Sequence, residues 1–283
     1  MRKFEDYITE AFKYAFSDIK KGIIGGLLLA ISGVFSVLLS ILIFTTGVDS
    51  NPYNIVKILT GMLIAIAVGF LISLVIEFVI DGYYVRIMKT TVEGFDNLPE
   101  WDNLVDLLMR GFLYFIGILI LAFVFLIIPI ILFGISVLLI TQDGIIGLVS
   151  LMISFVIFVI SIILLAFYLP LAEVNFSING FLGFFEFKKI IKMMSLKYIV
   201  LVIVIGIIIL IIESVISAPF ILMDVLFSPH AYSYYANTIS PTSAIIQLIS
   251  ATVSGFVGFF LSVFSKRAIA LYYKDKIEES KLE

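Results

Sequence analysis

Glu213 is the residue whose type and place most invite chemistry. It stands about fifteen residues into an apolar run that is long enough to cross a membrane, and a carboxyl at that depth is costly and therefore a functional candidate by default. It is expected to face the bundle interior, protonated or paired, or to border a water-filled pocket. There it could hold a ligand or a proton; the plainer alternative is a buried polar anchor. Glu77, Asp81 and Glu173 lie near the ends of two other apolar runs. Contact with lipid headgroups is the simpler reading of those three, and a functional site the sharper one.

A second concentration of charge runs from Asp81 to Arg110, DGYYVRIMKTTVEGFDNLPEWDNLVDLLMR, and includes the single tryptophan, Trp101. Arg86, Trp101 and Asp102 are its candidate functional residues. Glu93, Asp96, Glu100, Asp102 and Asp106 supply carboxylates, but only Asp102 and Asp106 are spaced to share a helix face. Pro99 in a first turn, Glu100 and Asp102 just after it and Arg110 near the end read more simply as the start and stop of a helix.

Other chemistry is poorly provided for. The chain has no cysteine, which excludes disulfides and thiolate metal sites. Its one histidine, His230, stands between Pro229 and Ala231 and reads as a solvated loop residue. G-x-S-x-G, H-E-x-x-H, phosphate-loop and Asp-rich metal patterns are all missing. No catalytic set, cofactor or metal is expected, and the protein reads as non-enzymatic.

The elements that must position these residues follow from composition. Of 283 residues, 62% are hydrophobic and 14% charged, where a soluble domain has about half and a quarter. Lipid is therefore the expected solvent. Six apolar runs, near 22–46, 57–81, 112–140, 145–170, 198–223 and 242–265, each reach the ~20 residues needed to cross ~30 Å of hydrocarbon. Backbone groups in lipid need internal partners, so the runs are predicted to be helices. The start of the chain is not patterned as a signal peptide, because basic and acidic residues alternate there. Phe4, Ile8, Ala11, Phe12, Ala15 and Ile19 instead recur at helical spacing, which predicts an amphipathic helix over 4–20.

All but Lys57 of the 18 Lys and Arg fall before the first run, between runs two and three, between four and five, or after the sixth. Positive charge stays in the cytoplasm, so both termini are expected there, in the cell membrane. On the other side Thr141–Gly144 is a tight link, and Asp224–Pro241 a longer one whose Tyr232, Tyr234 and Tyr235 suit an interface belt.

A weak internal repeat has a period of roughly 90 residues. Phe12, Trp101 and Phe187 each precede a short amphipathic stretch and then a span. This divides one membrane domain, 1–283, into repeats 4–96, 97–183 and 184–276, each a helical hairpin, in parallel orientation. In-plane helices at 4–20, 98–110 and 184–196 would form a collar. Small residues spaced by four, Ser250, Ser254, Gly258 and Ser262 in span six and Ser32, Ser36, Ser40, Gly22 and Gly26 in span one, are expected to pack helices within the chain. Pro129 is expected to kink span three.

Gly82, Tyr83, Arg86, Gly94, Leu98, Pro99, Trp101 and Asp102, followed by Gly111, resemble the signature of an archaeal and bacterial multi-pass family catalogued as domain of unknown function 4013. The family often has a second acidic residue where this chain has Asn103. The resemblance implies an integral membrane protein and supplies no activity.

The fold expected is an all-α integral membrane bundle of six helices in three hairpins. The function expected first is a module that binds, organises or moves lipid-like or amphiphilic molecules, with membrane lipids as partners and no nucleic acid. A small-solute or ion transporter using Glu213 is the alternative. A third reading is a membrane-embedded enzyme on lipid headgroups, which would need divalent metal among Asp96, Glu100, Asp102 and Asp106. The topology is directly testable. Reporter fusions after Glu283 and at the Gly94 linker should be active in the cytoplasm, and one at Asp143 outside; a periplasmic or external C-terminal reporter would refute the orientation.

Overall fold

The computed structural model describes residues 2–45, 52–227 and 240–282. A short helix α1 (Phe4–Ala15) is followed by α2 (Ile19–Thr45), α3 (Pro52–Glu93), α4 (Leu104–Gln142) and α5 (Gly144–Asn179). A 3-10 turn (Phe181–Phe185), a short α6 (Phe187–Met193), α7 (Leu196–Phe227) and α8 (Pro241–Ser280) complete the order. Six of these, α2, α3, α4, α5, α7 and α8, are long and apolar enough to cross a membrane. The six expected spans are therefore present. His230, Tyr232, Tyr234 and Tyr235 lie outside the described residues.

The helices exceed what hydrocarbon needs. At ~1.5 Å per residue, the 42 residues of α3 and 40 of α8 reach about 60 Å, twice a ~30 Å hydrocarbon layer. The surplus falls at the end of the bundle that carries Arg86, Lys89, Lys274 and Lys276, because charged side chains stay in water. That charged end is also where the core lies. Tyr7, Tyr83, Tyr168, Tyr198, Tyr272, Tyr273, Phe184, Phe259 and Phe264 are fully buried there. Along the apolar stretches, residues such as Leu63, Phe123, Met152 and Leu210 are exposed, as lipid-facing side chains must be. A tightly packed aromatic head thus carries a looser set of apolar legs.

Glycines set the closest contacts. A Cβ on Gly82 would stand 1.9 Å from the Leu107 carbonyl oxygen, and one on Gly111 would stand 1.7 Å from that of Phe78. The α3 and α4 backbones therefore touch directly. Gly22, Gly25 and Gly26 of α2 accept the rings of Phe260, Phe259 and Phe256 of α8. The principal neighbour of α2 is consequently α8, more than the α3 that follows it in sequence. Gly22 and Gly26 pack within the chain as expected, but the α8 side of that contact is a row of phenylalanines. Gly258 of the expected serine–glycine stripe has nothing within 4 Å of where a Cβ would lie. Ser36 and Ser40 bond back to carbonyls of their own helix, Ser32 and Ser36 respectively.

Three expectations about short elements need correction. Residues 98–110 do not form an in-plane helix. Leu98–Asn103 is non-helical, and α4 begins at Leu104 and runs unbroken to Gln142. Asn103 adopts a left-handed conformation, φ 48°, and its side chain accepts from the Asp106 amide at 3.3 Å. The helix therefore starts one turn later than Pro99 suggests. The stretch 184–196 is likewise broken into the 3-10 turn and α6. The helix over 4–20 ends at Ala15, and its buried face, Tyr7, Ala11, Tyr14 and Ala15, belongs to the head core and packs on α8. Helices run through Pro129, and also through Pro170 and Pro219.

The glycine contacts predict a sharp contrast. Gly111→Val should cost ~2 kcal/mol or more by forcing α4 off α3, while Gly134→Val, with open space around it, should cost little. Thermal unfolding in detergent measures both; equal losses would show that the α3–α4 contact is not the tight one.

Candidate functional site

The sequence motif of the linker builds an elbow. Tyr83 stacks on Trp101, ring centroids 3.7 Å apart and planes within 3°, and its hydroxyl donates to the Pro99 carbonyl at 2.9 Å. Trp101 Nε1 donates to the Lys21 carbonyl at 3.0 Å, and Lys21 Nζ donates to the Leu98 carbonyl at 2.8 Å. Arg86 donates to the carbonyls of Glu100 (2.8 Å) and Asp102 (3.1 Å), and pairs with the Asp102 and Asp106 carboxylates. Trp101 is thus a clasp between α2, α3 and the linker.

The linker's carboxylates are each matched to a cation. Lys89 meets Glu93, Arg267 meets Asp96, Lys21 meets Glu100, and Arg86 and Arg110 meet Asp106. Among the described residues no group of three or more metal-ligating side chains is placed to hold a metal. Arg267 is the deepest of these cations. It donates to Thr91 Oγ1 (3.0 Å) and the Phe95 carbonyl (2.7 Å), and its guanidinium lies 4.2 Å from the Tyr14 ring centroid.

Glu77, Asp81 and Glu173 converge where the apolar legs enter the head. Glu173 is only 4% exposed. It accepts from the Tyr114 hydroxyl at 2.6 Å and pairs with Lys266, whose Nζ also donates to that hydroxyl at 2.9 Å. Glu77 accepts from Ser32 at 3.0 Å, which ties α3 to α2. Asp81 lies within electrostatic range of Lys266, Glu77 and Glu173. Headgroup contact therefore does not describe Glu173: it is locked between α4, α5 and α8. The Tyr84 hydroxyl, one turn from Asp81, is buried with no hydrogen-bond partner among the described residues.

A second polar node closes the head. The Asn175 amide donates to the Gly183 carbonyl (2.7 Å) and Glu186 (2.9 Å), and its oxygen accepts from Asn179, Lys189 and Tyr273. The Asn175 hydrogen bond, and then Lys189, hold the Glu186 carboxyl below its usual range. Tyr7 donates to Asp275 at 2.9 Å; burial, and then that bond, push its hydroxyl well above the ordinary tyrosine range.

Glu213 lies apart from all of this. It is exposed on α7 and does not face Glu173. It lines a cavity of about 310 Å³ between α7 and α8 with Ile216, Ser217, Ser254 and Val257. Glu213 is therefore not in the bundle interior, one of the two settings expected for it, and borders this cavity instead. The reason is that α7 and α8 separate along their apolar stretches while meeting in the head.

Tyr114, Lys266, Arg267, Asn175 and Asp224 were not singled out by sequence. The Lys266–Arg267 doublet ends the last apolar run just where Glu173 ends the fourth, which was the available signal. Lys266→Met leaves the buried Glu173 carboxylate without its cation and should cost about 3–5 kcal/mol. The double variant Glu173→Gln, Lys266→Met should recover most of that, as read by thermal unfolding. A single-variant cost below ~1 kcal/mol would show the pair to be solvent-bathed.

The family described as "Protein of unknown function (DUF4013)" matches residues 66–222, from within α3 to within α7. The uncharacterized protein MJ1189 of Methanocaldococcus jannaschii is 48% identical over 99% of this chain and all of its own length. The uncharacterized protein MJ0233 of the same organism is 44% identical, covering 98% of this chain and 99% of its own. No solved structure matches the chain. On the extent of these matches, the chain belongs to the DUF4013 family.

Proposed function

We propose that this protein is a non-enzymatic membrane module that binds lipid-like or amphiphilic molecules along the seam between α7 and α8. The carrying observation is a cavity of about 280 Å³ whose lining is wholly hydrocarbon. Phe12 of α1 and Phe16, which follows α1, stand at its charged-end mouth, Ile208, Ile212 and Ile216 form one wall, and Val257, Phe260, Leu261 and Phe264 the other. Phe16 stacks on Phe260 at 4.8 Å, so the mouth is held by rings rather than by polar groups. A hydrocarbon-lined cleft bordering lipid is suited to an acyl chain, since chain burial there costs no polar desolvation.

The surrounding features support that reading. With both termini in the cytoplasm, as the basic residues argue, the mouth would sit at the inner leaflet. Lys188 and Lys192 of α6, beside the exposed Leu182 and Ile191, would attract anionic lipid there. In the repeat reading, α1 and α6 serve as collar elements of the first and third units.

Transport of a small solute or ion is a second reading, favoured by the cavity that meets Glu213. It ranks lower because the helices flanking that cavity are unbroken, whereas transport sites use interrupted spans.

Lipid retained through purification provides the test. Native mass spectrometry of the whole protein should find bound lipid, and Val257→Trp, which fills the cavity, should reduce it several-fold without unfolding the head. Retention unchanged by Val257→Trp and by Ile212→Trp would rule out the seam as the seat.

A further inference from the structure

Three cavities follow one another along the α7–α8 seam. The hydrocarbon-lined one shares Ile216 and Val257 with the cavity of Glu213, Ser217 and Ser254. One helical turn further from the head, Asp224, Gln247 and Ser250 border a third, of about 290 Å³. Polarity therefore rises in one direction along the seam, from hydrocarbon near α1 to carboxylates and hydroxyls further out.

The charge is of one sign. Among the described residues, Glu213 and Asp224 are the ionisable residues of the three linings, and no Lys, Arg or His borders any of them. Among the described residues Glu213 makes no hydrogen bond or ion pair. One carboxylate oxygen of Asp224 is buried with no hydrogen-bond donor. The linker carboxylates and Glu173, by contrast, each meet a cation. Unmatched carboxylates at membrane depth carry a free-energy penalty that a bound cation would relieve. A phosphate headgroup would find no basic residue to meet it, and a simple metal ion would leave the adjoining hydrocarbon cavity unfilled.

We propose that the seam binds an amphiphilic amine: a protonated primary amine on a long hydrocarbon tail. The ammonium lies against Glu213, with the hydroxyl oxygens of Ser217 and Ser254 accepting its other hydrogens. The tail runs toward Phe12 and Phe16. This rests on the acyl-chain reading of the inner cavity and adds to it the chemistry of the polar end. The pairing is an ion pair in low dielectric with further hydrogen bonds to the cation, which is the arrangement that makes such a pair favourable.

The experiment uses the whole protein in nanodiscs of neutral lipid, with empty nanodiscs as the partition baseline. Dodecylamine, dodecanol and dodecanoate are titrated by calorimetry. Dodecylamine should bind about tenfold tighter than dodecanol or better, a difference of about 1.4 kcal/mol, and dodecanoate weakest. Glu213→Gln should reduce the amine preference to about twofold, while Glu213→Asp retains most of it. Equal affinity for amine and alcohol, or a preference untouched by Glu213→Gln, overturns the amine assignment. So does cross-linking that shows a second copy sealing the seam while no amine binds. Val257→Trp separates the two readings. If it weakens all three probes while none depends on Glu213, the tail seat stands and the amine assignment falls. If it weakens none, the tail seat itself is wrong.

Discussion

The direct backbone contact of α3 with α4 is the constraint on which the rest of the head depends. Gly82 and Gly111 leave no room for a side chain between the two helices. That contact fixes the angle at which the linker must return, and Gly94 (φ 100°) and Asn103 (φ 48°) supply the left-handed backbone needed to make the return short. With the return fixed, Arg86 reaches the linker carbonyls and Tyr83 stacks on Trp101. The same placement turns Glu77, Asp81 and Tyr84, which recur at helical spacing on α3, toward α2 and α8. The linker motif is therefore the sequence of a joint. Its glycines set distance, its aromatics set orientation, and its charges satisfy carbonyls that the linker would otherwise leave open.

Hydrogen bonding and ion pairing are distributed very unevenly through the molecule. In the head, tyrosine hydroxyls reach carbonyls or carboxylates on neighbouring elements, as Tyr168 does to Phe184 and Tyr198 to Phe167, both at 2.7 Å. These bonds let large rings be buried without orphaning their hydroxyls. In the apolar legs, most side chains face outward, and small polar residues turn back on their own helices or meet across helix interfaces, as Ser136 meets Ser150 and Ser154. A rigid head with separated legs follows from this division. Packing in lipid receives no hydrophobic drive, so helices remain together only where glycines, rings or polar pairs hold them.

The legible part of this structure was the part written in hydrophobicity. Six spans could be read because ~20 apolar residues have one solution in lipid. Glu173 and Glu213 stood out because charge in such runs is rare, but their surroundings did not follow from that. Glu173 meets Lys266 across 93 positions of sequence, a separation that no local pattern encodes. The expected helix over 98–110 failed for a definable reason. Pro99, Glu100 and Asp102 are all good first-turn residues, yet their carbonyls and carboxylates are taken by Tyr83, Arg86 and Lys21, and Asn103 becomes the cap instead. Tertiary contacts overrode a local preference worth a few tenths of a kcal/mol per residue. The α2 stripe was read correctly as a packing face, while its partner was hidden. Phe256, Phe259 and Phe260 look like ordinary lipid-facing residues until the glycines opposite them are known.

The unevenness bears on where function resides. Residues that are fully engaged in the joint have little freedom to do anything else: Arg86, Trp101 and Asp102 are spent on geometry, and Glu173 on its lysine and tyrosine. The α7–α8 seam is different in kind. Three cavities line it, and among the described residues its carboxylates lack the cations that the linker carboxylates and Glu173 have. Neutralising Glu213 would have required only an amide. A head that holds α7 and α8 together at one end, and a seam left open and acidic along their length, make a cleft that can accept a ligand without rearranging the joint.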